Sequence, residues 1–400
     1  MARVLLLLPT STYRATDFVR AAARLGVEVV VGSEERQAMA AEMGDRAVIV
    51  PMSDVEAASD AIEALHRRSP IDAVVAVDDQ GVEIAAVAGE RLGFRHNDPI
   101  AAHATRDKVA MRHALAAADV SQPRFTVVDE PDALGPAAVD GVGLPCVVKP
   151  IGLSASRGVI RADDIGAARA AAARVRAIAD GPILVEQYVP GDEVAVEALL
   201  QDGSLHVLAV FDKPDPLVGP YFEETIYVTP SSHPAATLDA VEHLTEDAAR
   251  AIGLTEGPVH AEVRIDGDRM WAIEIAARSI GGLCARTLRF GAGIALEELI
   301  LRHALGLPID GLERERAASG VMMLPIPGAG VLREVRGQDA ARAVPGVTDV
   351  EITVSRGRRV VPLPEGDRYL GFLFARGDTP ETVEAALRAG YAALDVELSS

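Results

Sequence analysis

Residues 260–275, HAEVRIDGDRMWAIEI, contain two apolar segments that carry one glutamate each and are joined by a short polar turn. This pattern predicts two antiparallel strands that form a β-hairpin. The prediction takes Ile265 to pair with Trp271. In that register Glu262 faces Glu274, and because opposed residues of an antiparallel pair share a face, both carboxylates point into the same space.

Two facing carboxylates repel each other unless a cation lies between them, and the apolar flanks make unpaired charge costly here. Carboxylates together with phosphate oxygens are the usual ligands of Mg²⁺. The pair Glu262 and Glu274 therefore predicts a magnesium site. A register shifted by one residue is the alternative, because it would send the two side chains to opposite faces.

A guanidinium follows the second glutamate at close spacing. Arg278 lies four residues after Glu274 and begins the segment RSIGG, residues 278–282. Beside two metal carboxylates it could clamp a transferring phosphoryl group or a substrate carboxylate. Gly281 and Gly282 could offer backbone N–H groups to the same anion. A salt bridge from Arg278 to one of the two glutamates is the alternative.

A lysine and a loop of small residues lie further upstream. Lys149 ends the apolar strand Cys146–Lys149, and the loop PIGLSASRG follows it at residues 150–158. Gly152 and Gly158 allow unusual backbone angles, so several N–H groups could turn inward to cradle phosphate oxygens. The loop lacks the G-K-[ST] ending of a P-loop and runs into a strand. A flexible hairpin turn is the alternative.

The segment ILVEQYVPGDE, residues 183–193, supplies two further carboxylates. Glu186 lies at the end of an apolar strand, and Glu193 follows a Pro-Gly turn. Such carboxylates can accept hydrogen bonds from an adenine amine or from ribose hydroxyls. Two solvated glutamates at an ordinary turn would produce the same pattern.

The first hundred residues alternate between apolar runs and helical stretches. Strands are predicted at Val4–Leu8, Val27–Val31, Ala47–Val50 and Ala73–Val77, and helices at Ala15–Leu25, Glu34–Met43, Val55–Arg67 and Gly81–Leu92. This alternation predicts an α/β fold built on a doubly wound parallel sheet. Ligands bind such sheets at the carboxyl ends of the strands, here residues 9–13 and 78–81. No G-x-G-x-x-G follows the first strand, so a dinucleotide site is not indicated.

Composition and charge exclude several classes of protein. The chain has 400 residues, which suggests about two to three domains. It has 39 Lys and Arg against 59 Asp and Glu, a formal net charge of −20, and this disfavours a nucleic-acid-binding protein. The two cysteines, Cys146 and Cys284, supply no disulfide framework, and no apolar stretch approaches the roughly 20 residues of a membrane helix. The first apolar run stops at Pro9, too soon for a signal peptide, so we expect a soluble cytoplasmic protein.

In their order along the chain, these motifs resemble the ATP-grasp superfamily of carboxylate–amine ligases. The resemblance covers roughly residues 1–310 and is carried by Lys108, Lys149 with its Gly/Ser loop, Glu186 to Glu193, Glu262, and Glu274 to Arg278. The tail, with Gly320-Val-Met-Met-Leu324 and the strands after it, resembles the C-terminal domain of bacterial L-amino acid ligases, which make dipeptides.

The resemblance implies an α/β architecture with α+β later domains. The implied parts are a pre-ATP-grasp Rossmann-like domain at 1–98, a helical linker region at 99–140, a small lid subdomain of the ATP-grasp core at 141–200, its catalytic core subdomain at 201–312, and a strand-rich α+β C-terminal domain at 313–400. From the sequence pattern we also predict one helix from about 99 to 118.

The resemblance further implies ATP and Mg²⁺ as cofactors, with Mn²⁺ as an alternative ion. The implied nucleotide-binding residues are Lys108, Lys149, Ser154, Ser156, Gly158, Glu186, Tyr188, Val189 and Glu193. The implied metal ligands are Glu262 and Glu274, and the implied catalytic residues are Glu274 and Arg278. The family usually has Asn two residues after the second metal glutamate, whereas this chain has Ala276.

The predicted function is an ATP-dependent ligase that joins a carboxylate, preferably that of an amino acid, to an amine through an acyl phosphate. Its expected partners are these small molecules, without nucleic acid or membrane, and the resemblance suggests a homodimer. One alternative is a purine-pathway or carboxylase-type ATP-grasp reaction on formate or bicarbonate; the chain has no M-K-M motif for a fused biotin carrier. Another is a nucleotide-binding regulator without catalysis, which Ala276 favours and the intact Glu262, Glu274 and Arg278 disfavour.

Overall fold

A computed structural model describes residues 1–10, 12–35, 44–129, 134–291, 293–309 and 313–399. The strands are β1 (Arg3–Leu7), β2 (Glu28–Ser33), β3 (Ala47–Ile49), β4 (Ala73–Ala76), β5 (Phe125–Val128), β6 (Cys146–Pro150), β7 (Ile160–Ala162), β8 (Ile183–Gln187), β9 (Asp192–Gln201), β10 (Ser204–Asp212), β11 (Ile226–Thr229), β12 (Gly257–Asp266), β13 (Arg269–Ala276), β14 (Ala318–Leu324), β15 (Gly330–Arg336), β16 (Val347–Ile352), β17 (Arg359–Val360), β18 (Gly371–Gly377) and β19 (Asp395–Ser399). The α-helices are α1 (Ala15–Leu25), α2 (Val55–Arg68), α3 (Val82–Leu92), α4 (Pro99–Ala104), α5 (Lys108–Ala117), α6 (Pro136–Asp140), α7 (Ile165–Ile178), α8 (Ala235–Ile252), α9 (Leu296–Ala304), α10 (Gln338–Arg342) and α11 (Pro380–Ala392). Of the predicted helix at 34–43, residues 36–43 lie outside the described part of the chain.

The N-terminal strands form a four-stranded parallel sheet in the order β3-β2-β1-β4. Successive residues of β1 are buried on opposite faces of this sheet. Leu6 belongs to the same apolar cluster as Phe18 of α1, whereas Leu5 belongs to the cluster that contains Ile62 of α2. Because helices cover both faces, the strands consist of continuous apolar runs, and the prediction of a doubly wound parallel sheet is confirmed.

The helix predicted from about 99 to 118 is wrong as a single element, because the chain forms α4 and α5 with a break at 105–107. Asp107 is the N-cap of α5, and its carboxylate accepts hydrogen bonds from the N–H groups of Val109 and Ala110 at 2.8 and 2.9 Å. An aspartate that satisfies two N–H groups in this way starts a new helix. Lys108 therefore occupies the first turn of α5.

Two antiparallel sheets follow in the chain. A four-stranded sheet has the order β5-β8-β6-β7, and an eight-stranded sheet has the order β13-β12-β9-β10-β11-β14-β18-β16. Strand β9 thus pairs within the large sheet, although the predicted lid subdomain at 141–200 includes most of it. The C-terminal strands β14, β18 and β16 extend the same sheet, and β17-β15-β19 form a separate three-stranded sheet. The predicted domain boundaries stay predictions.

Strands β12 and β13 pair antiparallel and place Glu262 opposite Glu274, as predicted. The register predicted at the turn is wrong, since Ile265 lies opposite Met270, one residue from its expected partner. A β-bulge next to Glu262 accounts for both results. Ile273 is the extra residue on β13, and the added residue brings the two glutamates back into opposition.

Candidate functional site

A cavity of about 880 Å³ lies between the loops of the parallel sheet, the four-stranded antiparallel sheet and the large sheet. Its wall contains all but one of the predicted site residues, namely Lys108, Lys149, Ser154, Ser156, Glu186, Tyr188, Val189, Glu193, Glu262, Glu274 and Arg278. Gly158 is not on this wall, and its N–H donates to the Pro364 carbonyl at 2.9 Å. The loop at 78–81, predicted as a ligand-binding strand end, contributes Asp78, Asp79 and Gln80.

Each glutamate of the facing pair lies beside a lysine. Lys108 Nζ is 3.5 Å from Glu274 Oε2, and Lys213 Nζ is 3.1 Å from Glu262 Oε1. The Glu274 side chain is 23% exposed and the Glu262 side chain 19%, so both can reach a ligand in the cavity. Burial would raise the pKa of Glu262, but Lys213 and the nearby His260 hold it well below its usual range.

Lys213 lies at the centre of three carboxylates. Its Nζ is 2.6 Å from Glu193 Oε1 and also contacts Glu224 and Glu262. Oxygens of these carboxylates approach within 4.8 Å of one another, close enough to hold a metal ion. The lysine ammonium already offsets part of their negative charge. Lys213 itself is buried.

A second buried ion-pair group lies under the four-stranded sheet. Glu186 accepts hydrogen bonds from Arg112 Nε and Lys149 Nζ, both at 2.6 Å. Burial alone would raise the pKa of Glu186, but Arg112 and Lys149 outweigh it and lower the value to about 2. The adjoining wall is an apolar cluster of Val147, Leu217, Phe222, Val159 and Tyr188. A flat, uncharged ring fits such a surface.

Sequence reasoning missed Arg112. It lies four residues after Lys108 in the same helix, so the two side chains share a face, and this spacing could have indicated it. Arg264 was also missed. It follows Glu262 by two residues on one strand, which places both on one face, and its Nε donates to Glu193 at 2.6 Å.

Arg278 reaches across to the N-terminal sheet. Its Nε donates to Asp79 Oδ1 at 3.0 Å, and Arg106 Nη1 lies 3.5 Å from the same oxygen. Burial would raise the pKa of Asp79, but Arg278 and Arg106 hold it well below its usual range. The predicted alternative, a salt bridge from Arg278 to Glu262 or Glu274, is not the contact that forms.

The backbone after Arg278 is held by two buried groups that sequence reasoning missed. Arg14 Nη1 donates to Ser279 Oγ at 2.6 Å and to the Ile280 carbonyl at 3.1 Å. Glu197 Oε2 accepts the Ile280 N–H at 3.0 Å, and its other oxygen is 2.5 Å from His260 Nδ1. Glu197 lies four residues after Glu193 on β9, a spacing that puts both on one face and could have indicated it.

Comparison with known proteins agrees with this geometry. Residues 142–287 match the model of the ATP-grasp domain, and residues 19–95 match the ATP-grasp N-terminal domain. A formate-dependent phosphoribosylglycinamide formyltransferase from Bordetella pertussis is 30% identical over 351 residues, which are 84% of this chain and 83% of the relative. The chain belongs to the ATP-grasp superfamily.

Two further similarities concern the amino acid ligases of this superfamily. Residues 322–399 match L-amino acid ligase C-terminal domain 2. The L-amino acid ligase structure from Bacillus licheniformis has a TM-score of 0.84 and 25% identity, and covers 100% of this chain and 99% of its own. An alanine–anticapsin ligase from Bacillus subtilis is 28% identical over 261 residues, 58% of this chain and 53% of the relative. The predicted resemblance to ATP-grasp ligases close to the L-amino acid ligases is confirmed.

The small-residue loop of this ATP-grasp chain carries left-handed backbone at two residues that have a Cβ. Ala155 and Ser156 have φ of 55° and 54°, a conformation that costs roughly 1 kcal/mol or more per residue. Lys108 Nζ donates to the Leu153 carbonyl at 2.6 Å. The loop is thus tied to α5 on one side and, through Gly158, to Pro364 on the other.

Within the described residues no helix is long and apolar enough to cross a membrane.

Proposed function

We propose that this ATP-grasp protein activates the carboxylate of an amino acid as an acyl phosphate and couples it to an amine, with ADP and phosphate released. The observation that carries the proposal is the convergence of Lys108, Glu262, Glu274 and Arg278 on one cavity. The C-terminal residues on the cavity wall, Met323 and the loop residues at 353–358 and 367–369, belong to the segment matched by the L-amino acid ligase domain.

ATP is the nucleotide of this superfamily, and the apolar cluster around Phe222 is the surface we assign to its adenine. Glu186, Tyr188 and the backbone of Val189 border that surface, and Glu193 is assigned to the ribose. Lys108 and Lys149, with the loop at 154–158, are assigned to the phosphates. Phosphate contact with the Gly158 N–H requires its bond to Pro364 to break.

Glu262 and Glu274 are the proposed ligands of Mg²⁺. Two opposed, partly exposed carboxylates form the oxygen donor set that this ion prefers, so the residues fit it. When bound by these two carboxylates, such an ion would neutralise phosphate charge during phosphoryl transfer. Ala276 is buried opposite His260 and offers no oxygen from its side chain. We therefore expect a second Mg²⁺ ion to take its remaining oxygen ligands from water and ATP phosphates.

The reaction divides into two balanced steps. A donor carboxylate oxygen attacks the γ-phosphorus of ATP, a new P–O bond forms, and the bond to ADP breaks. The amine nitrogen then attacks the acyl carbon, the C–N bond forms, and phosphate leaves with the proton that nitrogen loses. We assign to Arg278, which Asp79 holds, the stabilisation of charge on the transferring phosphoryl group. Closure of the loop at 151–157 would exclude water, which hydrolyses acyl phosphates.

Measurement of products over a panel of paired amino acids tests this proposal. We expect ADP and phosphate, and hydroxylamine should trap an acyl hydroxamate from the donor acid alone. AMP and pyrophosphate would overturn it in favour of adenylation.

The 30% identity to a formyltransferase favours a second candidate, ligation of formate to phosphoribosylglycinamide. Formyl hydroxamate from formate, with none from amino acids, would select that reaction. A homodimer and a cytoplasmic location stay predictions.

A further inference from the structure

Arg14, the residue before α1, carries a buried charge that the proposed reaction does not use. Its side chain is 1% exposed, does not border the cavity, and pairs with Glu297 of α9 at 2.8 Å. Its Nη1 donates to the Ser279 hydroxyl at 2.6 Å and to the Ile280 carbonyl at 3.1 Å. Because hydrogen bonds from a guanidinium are strong and directional, Arg14 fixes the direction in which this carbonyl points.

The Ile280 carbonyl shares a peptide unit with the N–H of Gly281. This peptide is trans and planar, so its carbonyl and its N–H point in opposite directions. Arg14 lies off the cavity wall and Gly281 lies on it, so the N–H points towards the cavity. In the part of the chain that the structure describes, this N–H donates to no backbone or side-chain acceptor. The space beside the Gly281 Cα is also open, because no atom lies within 4 Å of the position of a Cβ.

The preceding peptide unit is fixed in the same way. Its N–H, that of Ile280, donates to the buried Glu197 at 3.0 Å. Its carbonyl, that of Ser279, accepts from Arg278 Nη1 at 3.1 Å. Glu197 does not border the cavity, whereas Arg278 does. Two buried charged side chains thus set two successive peptides, and the cavity side of the segment receives one guanidinium and one unpartnered N–H.

We propose that Arg14 is a positioning residue for the second step of the proposed reaction, because it turns the Gly281 N–H towards the acyl oxygen of the activated donor. When the amine nitrogen attacks the acyl carbon, the C–N bond forms and the carbonyl electron pair moves onto that oxygen. The pair returns as the bond to phosphate breaks. An N–H that is already oriented stabilises this transient negative charge without reorganisation. The proposal rests on the proposed function and adds to it a residue that contacts no substrate.

Replacement of the ion pair by apolar side chains tests the proposal. Such an exchange of a buried pair is often tolerated, so Arg14→Met combined with Glu297→Met should fold. Positional isotope exchange in ATP that carries heavy oxygen at the β,γ bridge follows phosphoryl transfer to the donor acid without an amine. Amide formation follows both steps. The donor acid is the one found by hydroxamate trapping.

We expect the double variant to retain isotope exchange within about twofold and to lose at least about tenfold in kcat for amide formation. Removal of one oxyanion donor lowers kcat roughly 100- to 1000-fold, and here the N–H remains but is no longer held. The KM for ATP should not change, since the lost interaction belongs to the transition state. Equal losses in both steps would overturn the proposal, because the role of Arg14 would then be structural.

Two further variants control for folding and for packing of the helices. Arg14→Lys keeps a charge beside Glu297, but its ammonium lacks the planar fork that reaches Glu297 and Ile280 together. It should also lose amide formation selectively, and an undiminished rate would contradict the proposal. Arg24→Met is the matched control, because Arg24 also joins α1 to α9, through Glu298 at 3.2 Å. It should leave both steps unchanged, and a loss as large as that of the double variant would count against a specific role of Arg14.

A crystal structure of the double variant separates this proposal from the proposed function, because it requires no turnover. The Ile280–Gly281 peptide should rotate away from its wild-type direction, while the Ile280 N–H stays on Glu197. An unchanged peptide would contradict the role of Arg14 alone. A wild-type protein that gives neither isotope exchange nor hydroxamate with any donor acid would contradict the proposed function alone.

Discussion

Lys213 Nζ lies 3.1 Å from Glu262 Oε1, so a carboxylate proposed to hold magnesium already has a cation of the protein on one side. The same ammonium contacts Glu193 and Glu224, and the side chains of these three glutamates are 7–19% exposed. Burial raises the pKa of Glu224 to about 7. The lysine thus holds together the acidic wall of the site in the absence of nucleotide.

Replacement of this lysine tests that conclusion. Lys213→Met leaves three carboxylates close together, and loss of one partner from a buried ion pair costs roughly 3–5 kcal/mol. We therefore expect a lower melting temperature that millimolar Mg²⁺ partly restores, because the ion can replace the ammonium. Lys213→Arg, which keeps the charge, should show a smaller loss and less restoration. Equal effects of Mg²⁺ on wild type and Lys213→Met would contradict this role.

Glu262→Gln and Glu274→Gln should each abolish ADP release while the fold stays intact. Each substitution removes one charge from the proposed magnesium ligands at nearly constant volume. ADP release at saturating Mg²⁺ and far-UV circular dichroism provide the measurements. Glu242→Gln on the exposed face of α8 is the control and should have no effect. Near wild-type rates in either variant would show that the residue is not a required ligand.

The loop at 151–157 should be protected from protease by nucleotide. Its left-handed residues Ala155 and Ser156 are strained, and phosphate would supply partners for their N–H groups. Trypsin should cleave after Arg157 in free protein and more slowly with ATP and Mg²⁺. Cleavage at an exposed arginine such as Arg67 is the internal reference. Equal rates at Arg157 with and without nucleotide would argue against loop closure.

Glu186→Gln should destabilise the protein at neutral pH and have less effect in acid. The folded pKa of Glu186 is about 2, below its usual value of 4.5, because Arg112 and Lys149 outweigh burial. Its charge therefore stabilises the fold above about pH 4.5, and that contribution is lost as the pH falls towards 2. We expect a loss of roughly 3 kcal/mol at pH 7, measured by denaturant unfolding. A wild-type-to-variant difference that does not shrink below pH 4 would contradict the ion-pair explanation.

Some of the site could be predicted because it depends on local pattern. Glu262 and Glu274 were expected to face each other, and they do, although a bulge at Ile273 compensates for a register error at the turn. A single sequence does not show where a bulge falls, since packing on both sides of the sheet determines its position. The strand end at 78–81 lies on the cavity wall, where the rule for parallel sheets led us to expect a ligand; binding there stays a prediction.

The groups that fix these side chains could not be predicted, since they come from distant parts of the chain. Arg14 is 265 residues from Ser279, and Asp79 is 199 residues from Arg278. An arginine near the start of a helix looks like a solvated residue until the fold shows its partner. The break between α4 and α5 was missed for a local reason, the capping of α5 by Asp107.

The sequence by itself determined the parallel sheet, the chemistry of the nucleotide and metal motifs, and their order along the chain. These features depend on the spacing of apolar and polar residues within single helices and strands. That spacing can be read from residues that are close together in the chain. Only the tertiary structure decided that Lys213 offsets charge in the acidic wall and that Asp79 holds Arg278. Electrostatic energy depends on distance in space, and the fold brings together charges that the chain separates by up to hundreds of residues.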